Sequence, residues 1–522
     1  MDRRQLAITA TAVGLALVLG AGVALLATSG ADEPTGSVSS PTGAPGISST
    51  TSTSVASTTT TRSPIVTVPT LSPGTIVIIP PTTTTTRPKR TPRTQPTTTT
   101  TTPPATVAPA ATTSPTTAPP ETSTTTAPTP TVTEPTVTST TTTTSPAPTT
   151  EIGVTKRRIR LAVIADDVDV LAGARAWSEV VNRRGGIGGR KLRLDLLATG
   201  GTADGYANAV ATACSRDLAI VAGLSSLAAD PAPLDCGIPD IAIETLTEAH
   251  TQHDTTYAAF PRRAGTEAVG PYRYLQTAVE DCCSQFVLVP DREPGRAATA
   301  AAIAAATEIG FDAVATPDVA VDAPESDYDA LAQDLLAADA TFVSSGLGRD
   351  STIELRRASD DAGVTGVEVW FCDARCYEPT FLTEGSVAVD DQYVAIETVP
   401  FTDRRKVPEM RSYLKATARN GETADYDALR AYVTGLLAEQ ALRAVIDAHG
   451  DDGITRAGLL DALAAIHDFT GAGLVGPTDV GGRAPNGCAV VLQVRDGEFT
   501  RVHPAERGSL DCGPQNLVEL GD

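Results

Sequence analysis

Aromatic residues are scarce in this 522-residue chain, making up 4% of it, and there are only 5 histidines. A packed core must therefore be built mostly from aliphatic side chains, and the few rings near loops carry information. Positive charge is also short. Beyond residue 150 there are 33 Lys and Arg against 57 Asp and Glu, a net of −24, which argues against nucleic acid or an anionic lipid surface as partner. Cysteine is missing from the first 150 residues, so no lipid-modified cysteine follows the apolar run near the N-terminus. The sequence has no G-x-S-x-G elbow, no H-E-x-x-H and no HxE/CxxC pattern, so the motifs of common serine hydrolases, zinc proteases and zinc deaminases are absent.

What is present falls into three regimes. Arg3 and Arg4 precede an uncharged run, Leu6 to Ala27, whose 22 residues reach roughly 33 Å as a helix, enough for a bilayer core. Residues 1–32 are thus expected to be a signal-anchor with its N-terminus inside, or a signal peptide cut near Ala27, Thr28 and Ser29. Residues 33–150 are Thr, Ser and Pro in long runs, a composition that cannot offset the entropy of ordering. This spacer would reach about 60 Å as a coil and roughly 370 Å as extended polyproline. Residues 151–522 carry all eight cysteines and read as the folded part.

An even cysteine count in an exported domain points to disulfides, and the spacing suggests Cys214 with Cys236, Cys488 with Cys512, and Cys372 with Cys376. A zinc site would need a second closely spaced pair, which Cys372 and Cys376 lack. The group "HTQHD", His250 to Asp254, lacks a fourth ligand, so neither metal nor cofactor is expected.

Short apolar runs alternate with helical spacing through this part. Ile159 to Ala165, Leu192 to Leu197, Ala219 to Ala222, Ile241 to Ile243, Tyr257 to Phe260, Phe286 to Val289, Val314 to Val319, Thr341 to Ser344, Val367 to Phe371 and Gln392 to Glu397 read as strands. Helices fall between most of them, and long ones follow at Pro408 to Ala418, Ala424 to His449 and Arg456 to Ala465. A hairpin closes the pattern, Cys488 to Val494 and Glu498 to Val502, turned at Asp496-Gly497. Steady alternation implies parallel sheets covered on both faces, and the length exceeds one comfortable core. Two Rossmann-like α/β lobes with a hinge are expected, the first about 157–279 plus 392–484 and the second about 280–391 plus 485–515.

The stretch "SEVVNRRGGIGGRKLRLDLLATG", Ser178 to Gly200, holds four closely spaced glycines between a helix and a strand. A phosphate loop leaves a strand and opens a helix, the reverse order, so Gly185, Gly186, Gly188 and Gly189 read as a helix stop and turn.

That segment, with "AIVAGLSSLAADPAPLDCGIPDIAI", "VLVPDREPGRAATAAAIAAATEIGFDAV" and "ITRAGLLDALAAIHDFTGAGLVGPTD", resembles the type I periplasmic binding proteins. The nearest group is the leucine/isoleucine/valine-binding, branched-chain amino-acid receptors of ABC transporters, over about residues 157 to 505. The resemblance implies a hinged two-lobe fold and no catalysis. It implies a small-molecule ligand such as an amino acid and an ABC permease as partner, while the apolar run Leu6 to Ala27 places the folded part outside the cytoplasm, attached to the membrane through the N-terminal helix or secreted if that helix is cleaved. In such receptors hydroxyls and N–H groups of the first lobe hold the ligand carboxylate, matching Ser226 and Thr245 or Thr247, and a second-lobe acid matching Asp373 faces the ammonium. The sequence departs from that pattern at Pro294, where a tyrosine is usual, and at Glu244, close to the carboxylate position.

Independently of resemblance, ligands in open α/β sheets lie beyond the carboxyl ends of the strands. That rule selects Asp166 and Asp167, Ser225 and Ser226, Thr245 and Thr247, Asp291, Gly346 and Leu347, and Asp373, with Tyr377 as a wall beside it. Two functions follow: a solute receptor, or a membrane-tethered sensory or cell-envelope interaction domain of the same fold without transport, for which the long spacer speaks.

Overall fold

The computed structural model describes residues 151–166 and 168–521. The apolar N-terminal run, the Thr/Ser/Pro stretch and Asp167 lie outside the described residues. Among the described residues no helix is long and apolar enough to cross a membrane.

The chain begins with β1 (Arg158–Ala165), α1 (Val168–Arg183), β2 (Lys191–Ala198), α2 (Ala203–Arg216), β3 (Ile220–Gly223), β4 (Asp240–Glu244), α3 (Glu248–Gln252) and β5 (Thr256–Phe260). The five strands form one parallel sheet in the order β2-β1-β3-β4-β5, so the order reverses between β1 and β3, where Asp166 N donates to Leu224 O at 3.3 Å. The four glycines serve the turn from α1 to β2. Gly185 and Gly186 have φ of +110° and +89°, Gly186 N donates to Val181 O at 2.9 Å, and a Cβ at Gly186 would lie 2.0 Å from Arg190 O. Asn182 then clamps the incoming strand, its side chain donating to Leu192 O at 3.0 Å and accepting from Leu192 N at 2.7 Å.

After the first sheet come β6 (Thr266–Ala268) and α4 (Gly270–Ala278), then β7 (Ser284–Pro290), α5 (Gly295–Glu308), β8 (Asp312–Ala315), β9 (Asp318–Val319), α6 (Glu325–Ala338), β10 (Phe342–Ser345), α7 (Arg349–Ala362), β11 (Val369–Cys372), α8 (Pro379–Gly385) and β12 (Tyr393–Ile396). The chain returns to the first lobe with α9 (Pro408–Asn420), α10 (Tyr426–His449) and α11 (Arg456–Ala464), and finishes with the hairpin β13 (Val490–Arg495) and β14 (Glu498–His503) and the short β15 (Leu517–Glu519). The second sheet runs β14-β13-β12-β11-β10-β7-β8, with β9 also on β7. Its strands are parallel as far as β12, while β13 and β14 add on antiparallel. The run expected as one strand, Val314 to Val319, is two, β8 and β9, because it contains Pro317, which has no N–H for a ladder.

The lobes exchange chain at places shifted from the sequence reading. Leu275 of α4 packs with Ala306, Phe311, Phe342 and Phe371 of the second lobe, and β12 pairs with β11 and β13. The second lobe therefore starts near residue 270 rather than 280 and takes in β12, which the reading gave to the first. The reason is that a boundary depends on which core a segment joins, and α4 and β12 are locally indistinguishable from first-lobe elements.

The first lobe's most extensive helix–helix contact is α1 on α10. Trp177, fully buried, lies over Gly435, where a Cβ would come within 2.3 Å of the indole. A glycine there permits the close crossing of the two helices. Disulfides join Cys214–Cys236, Cys372–Cys376 and Cys488–Cys512, with Cα separations of 6.4, 6.0 and 4.2 Å, and a fourth joins the adjacent Cys282 and Cys283.

Candidate ligand cleft

Strand ends and crossovers bring a set of charged groups together between the lobes. Glu244 ends β4 and pairs in register with Phe260, the end of β5. Two residues on, Arg262 donates to Glu244 at 3.4 Å and to Glu397 at 3.3 Å, so it bridges the first sheet and the crossover that follows β12. Arg430, in the second turn of α10 and 7% exposed, places Nη2 2.7 Å from Glu244 and Nη1 3.3 Å from Asp427, with its guanidinium over the rings of Phe260 and Tyr426. Burial opposes ionisation of Glu244, but Arg430 and Arg262 outweigh it and hold the carboxyl at about 2.

The second lobe supplies a preformed ion pair. Asp373 follows β11, and its carboxylate accepts from Arg375 Nε at 2.9 and 3.1 Å and from Nη2 at 2.5 Å, while Arg375 Nη1 donates to Gly346 O at 3.0 Å. The disulfide between Cys372 and Cys376 closes this three-residue loop. Asp373 is half-exposed; the desolvation it does suffer disfavours its charge, yet Arg375 keeps it below the usual carboxylate range. Asp373 does most to raise the Arg375 pKa, and Glu244 and Asp427 of the first lobe add to it.

Glu267, in β6, and Tyr272, in α4, follow the first crossover. Tyr272 packs on Phe311, Phe342 and Phe371, and burial raises its pKa with help from Asp373 and Glu267. Glu267 sits in the middle of β6. Its neighbours Thr266 and Ala268 line a small pocket with Phe260, Arg262, Glu397 and Asn486, where all three crossovers meet.

Of the residues chosen from sequence, the structure brings Gly346 and Asp373 into this crevice. The others are engaged elsewhere. Ser225 is 4% exposed, accepts from Leu227 N at 3.2 Å, and lines a cavity on the α2 side of the first sheet with Tyr206, Asp240 and His250; Ser226 starts the exposed turn beside it. Thr245 accepts from the Thr251 hydroxyl at 2.8 Å, and Thr247 caps α3 while donating to Ala229 O at 2.8 Å. Asp166 accepts from the Thr199 hydroxyl, and Asp291 from Val321 N at 3.3 Å. Leu347 packs into the second-lobe core, and Tyr377, 2% exposed, accepts from Phe401 N at 2.8 Å. Asp167 lies outside the described residues. Sequence reasoning did not single out Arg262, Glu267, Tyr272, Arg375, Glu397, Asp427 or Arg430 as site residues. A charged residue just past the last strand before a crossover is the signal that would have found Arg262 and Glu397.

Comparisons agree with this architecture. A family model described as periplasmic binding protein matches residues 164–498. No curated protein matches the sequence. Solved structures that are similar include a fatty acid ABC transporter substrate-binding protein from Thermomonospora curvata, 17% identical over 70% of this chain and 95% of that one, with a TM-score of 0.57. A leucine-binding protein from Thermotoga maritima is 16% identical over 66% and 97%, with a TM-score of 0.53. A solute-binding protein of an ABC transporter from R. palustris, in complex with 4-hydroxybenzoate, is 16% identical over 66% and 95%, with a TM-score of 0.53. At these identities the likeness is one of fold. With its two α/β lobes, its three crossovers and a family match over most of the described residues, the chain belongs to the periplasmic binding protein family.

Proposed function

We propose that the chain is an extracytoplasmic solute receptor whose lobes close over a small polar ligand of the amino-acid class and present it to an ABC permease, with the N-terminal segment as tether. One observation carries the reading: ionisable groups from both lobes and from the crossovers converge on one crevice at the strand carboxyl ends, where hinge motion changes their separation. Closure needs only that the ligand bind the closed state better than the open one. No bond is made or broken. Asp373 and Gly346 would line the site from the second lobe, with Glu244 and Arg262 opposite.

A second reading, a tethered sensory or envelope-interaction domain, draws support from the internal engagement of Ser225, Thr245 and Thr247. Thermal unfolding of the full chain with a panel of amino acids, amines and small acids separates the two. A ligand at 100 times its dissociation constant adds about 2.7 kcal/mol of stability. Asp373→Ala should abolish such a shift, whereas silence across the whole panel favours the interaction domain.

A further inference from the structure

We infer that one ordered water molecule is built into the first lobe, in the cavity on the α2 side of the first sheet, where His250 Nδ1 and the hydroxyls of Ser225 and Tyr206 hold it. All of the lining comes from the first lobe, and the inference does not depend on the receptor reading.

Topology brings four polar side chains to one small cavity. Tyr206 comes from α2, Ser225 from the turn after β3, Asp240 from the start of β4 and His250 from α3, and all four are buried. Ile164 and Ile220 supply apolar wall. His250 is 2% exposed, and its Nε2 stands 3.1 Å from Asp240 Oδ2, which also accepts from the Thr256 hydroxyl at 3.4 Å. A ring nitrogen facing a carboxylate carries a proton, so Nε2 is the donor of that bond. Nδ1 of the same ring is left buried with no hydrogen-bond partner among the described residues. Such an atom bears the whole cost of leaving water unless something in the cavity meets it.

Size and chemistry select water. The free space at the centre of the cavity is about 10 Å³, close to what one water molecule needs and too little for an organic ligand. Ser225 Oγ accepts from Leu227 N at 3.2 Å, which leaves its own proton to donate. Burial raises the Tyr206 pKa and Asp240 adds to it, so the phenol keeps its proton and can both donate and accept. Nδ1 accepts a hydrogen bond when the ring is neutral and donates one when it is charged, and water serves either state because it does both. An anion would meet the Asp240 carboxylate. A metal ion would need more ligands, and among the described residues no group of three His, Cys, Asp or Glu could hold one. A cavity lined by carbon alone stays dry, whereas this one offers a water three partners.

Two measurements on the full chain test this. Diffraction from its crystals should show one density peak at about 2.7–3.2 Å from His250 Nδ1, within hydrogen-bond reach of the Ser225 or Tyr206 hydroxyl. Gly223→Ala probes the same space through stability. Gly223 borders the cavity, and a Cβ there would stand 3.5 Å from Ile164 O and from the Ile220 side chain and 3.8 Å from Asp240 Oδ1, ordinary contacts without a clash. The methyl crowds out the water and strands Nδ1, so the melting temperature should fall by about 2 °C or more. In a dry cavity the same methyl would fill a void and restrict the unfolded chain, raising the melting temperature. A raised or unchanged melting temperature therefore overturns the inference. So does a cavity without density, or one in which a hydroxyl bonds Nδ1 directly. Stabilisation of the parent chain by ammonium chloride but not by sodium chloride would make the occupant an ammonium ion and overturn it as well.

Discussion

Replacing Arg430 by methionine removes one guanidinium from the base of the cleft and leaves the half-buried Glu244 with Arg262 alone, at 3.4 Å. The magnitude follows from Glu244. A carboxyl held at about 2 instead of 4.5 contributes about 3 kcal/mol to stability at neutral pH. That contribution is complete above the unfolded-state value and disappears as pH falls through about 2. Arg430 supplies more of it than Arg262 and is the closer of the two, so Arg430→Met should cost about 2–3 kcal/mol at pH 7. Methionine keeps an apolar contact with Phe260, which separates loss of charge from loss of packing. Both residues belong to the first lobe, so the change should appear in a single transition when urea unfolding is followed by circular dichroism at pH 7, 5, 4 and 3. The cost should shrink toward low pH, and Glu244→Gln combined with Arg430→Met should restore most of it. A loss below about 0.5 kcal/mol at pH 7, or one just as large at pH 3, would refute the reasoning.

Other perturbations probe other links. Gly435→Ala puts a methyl group 2.3 Å from the Trp177 indole and should destabilise the α1–α10 contact by about 1–3 kcal/mol, read from tryptophan fluorescence during unfolding in a Trp370→Phe background; an unchanged midpoint contradicts it. Asp217 is fully buried, and burial with the nearby Asp195 raises its pKa to about 6. Its ionisation on going from pH 4 to pH 7.5 therefore costs about 3 kcal/mol, so Asp217→Asn should gain melting temperature relative to the parent at pH 7.5 but not at pH 4, and equal shifts at both would count against this. Deleting residues after Gly513 removes β15 from β6 and should speed amide exchange over residues 265–270; retained protection there would show that the tail does not brace the hinge.

Much of the fold is written locally. Each strand run named from apolar pattern has a strand within a few residues of it, and Asp496-Gly497 makes the hairpin turn with φ of +53° and +71°. The β6–β15 ribbon escapes such reading because two three-residue strands, about 250 residues apart, have no periodicity to detect. The cleft shows the same division. Strand-end logic leads to Gly346 and Asp373, whose positions follow directly from β10 and β11. It leads equally to Ser225 and Thr247, whose hydroxyls satisfy their own turns, and a capping hydroxyl has the same sequence signature as a ligand-binding one. Arg262 and Glu397 gain their partnership only when two crossovers lie side by side, which no window along the chain reveals.

Under the receptor reading the crossovers would act both as hinge and as part of the site. Arg262 and Glu397 meet at 3.0 Å from successive crossovers, and the third is tied by the Cys488–Cys512 disulfide to a tail whose β15 pairs with β6. Thr266 donates to Glu519 at 2.9 Å, Val269 N to Asn516 O at 2.7 Å and Arg273 to Gln515 O at 2.9 Å, so the tail fixes the strand that carries Glu267. Arg375, by contrast, reaches the fields of Glu244 and Asp427 from the far lobe, and separating the lobes weakens that attraction. The Arg262 side is thus fixed to the hinge that the tail braces, whereas the Arg375 side belongs to the second lobe.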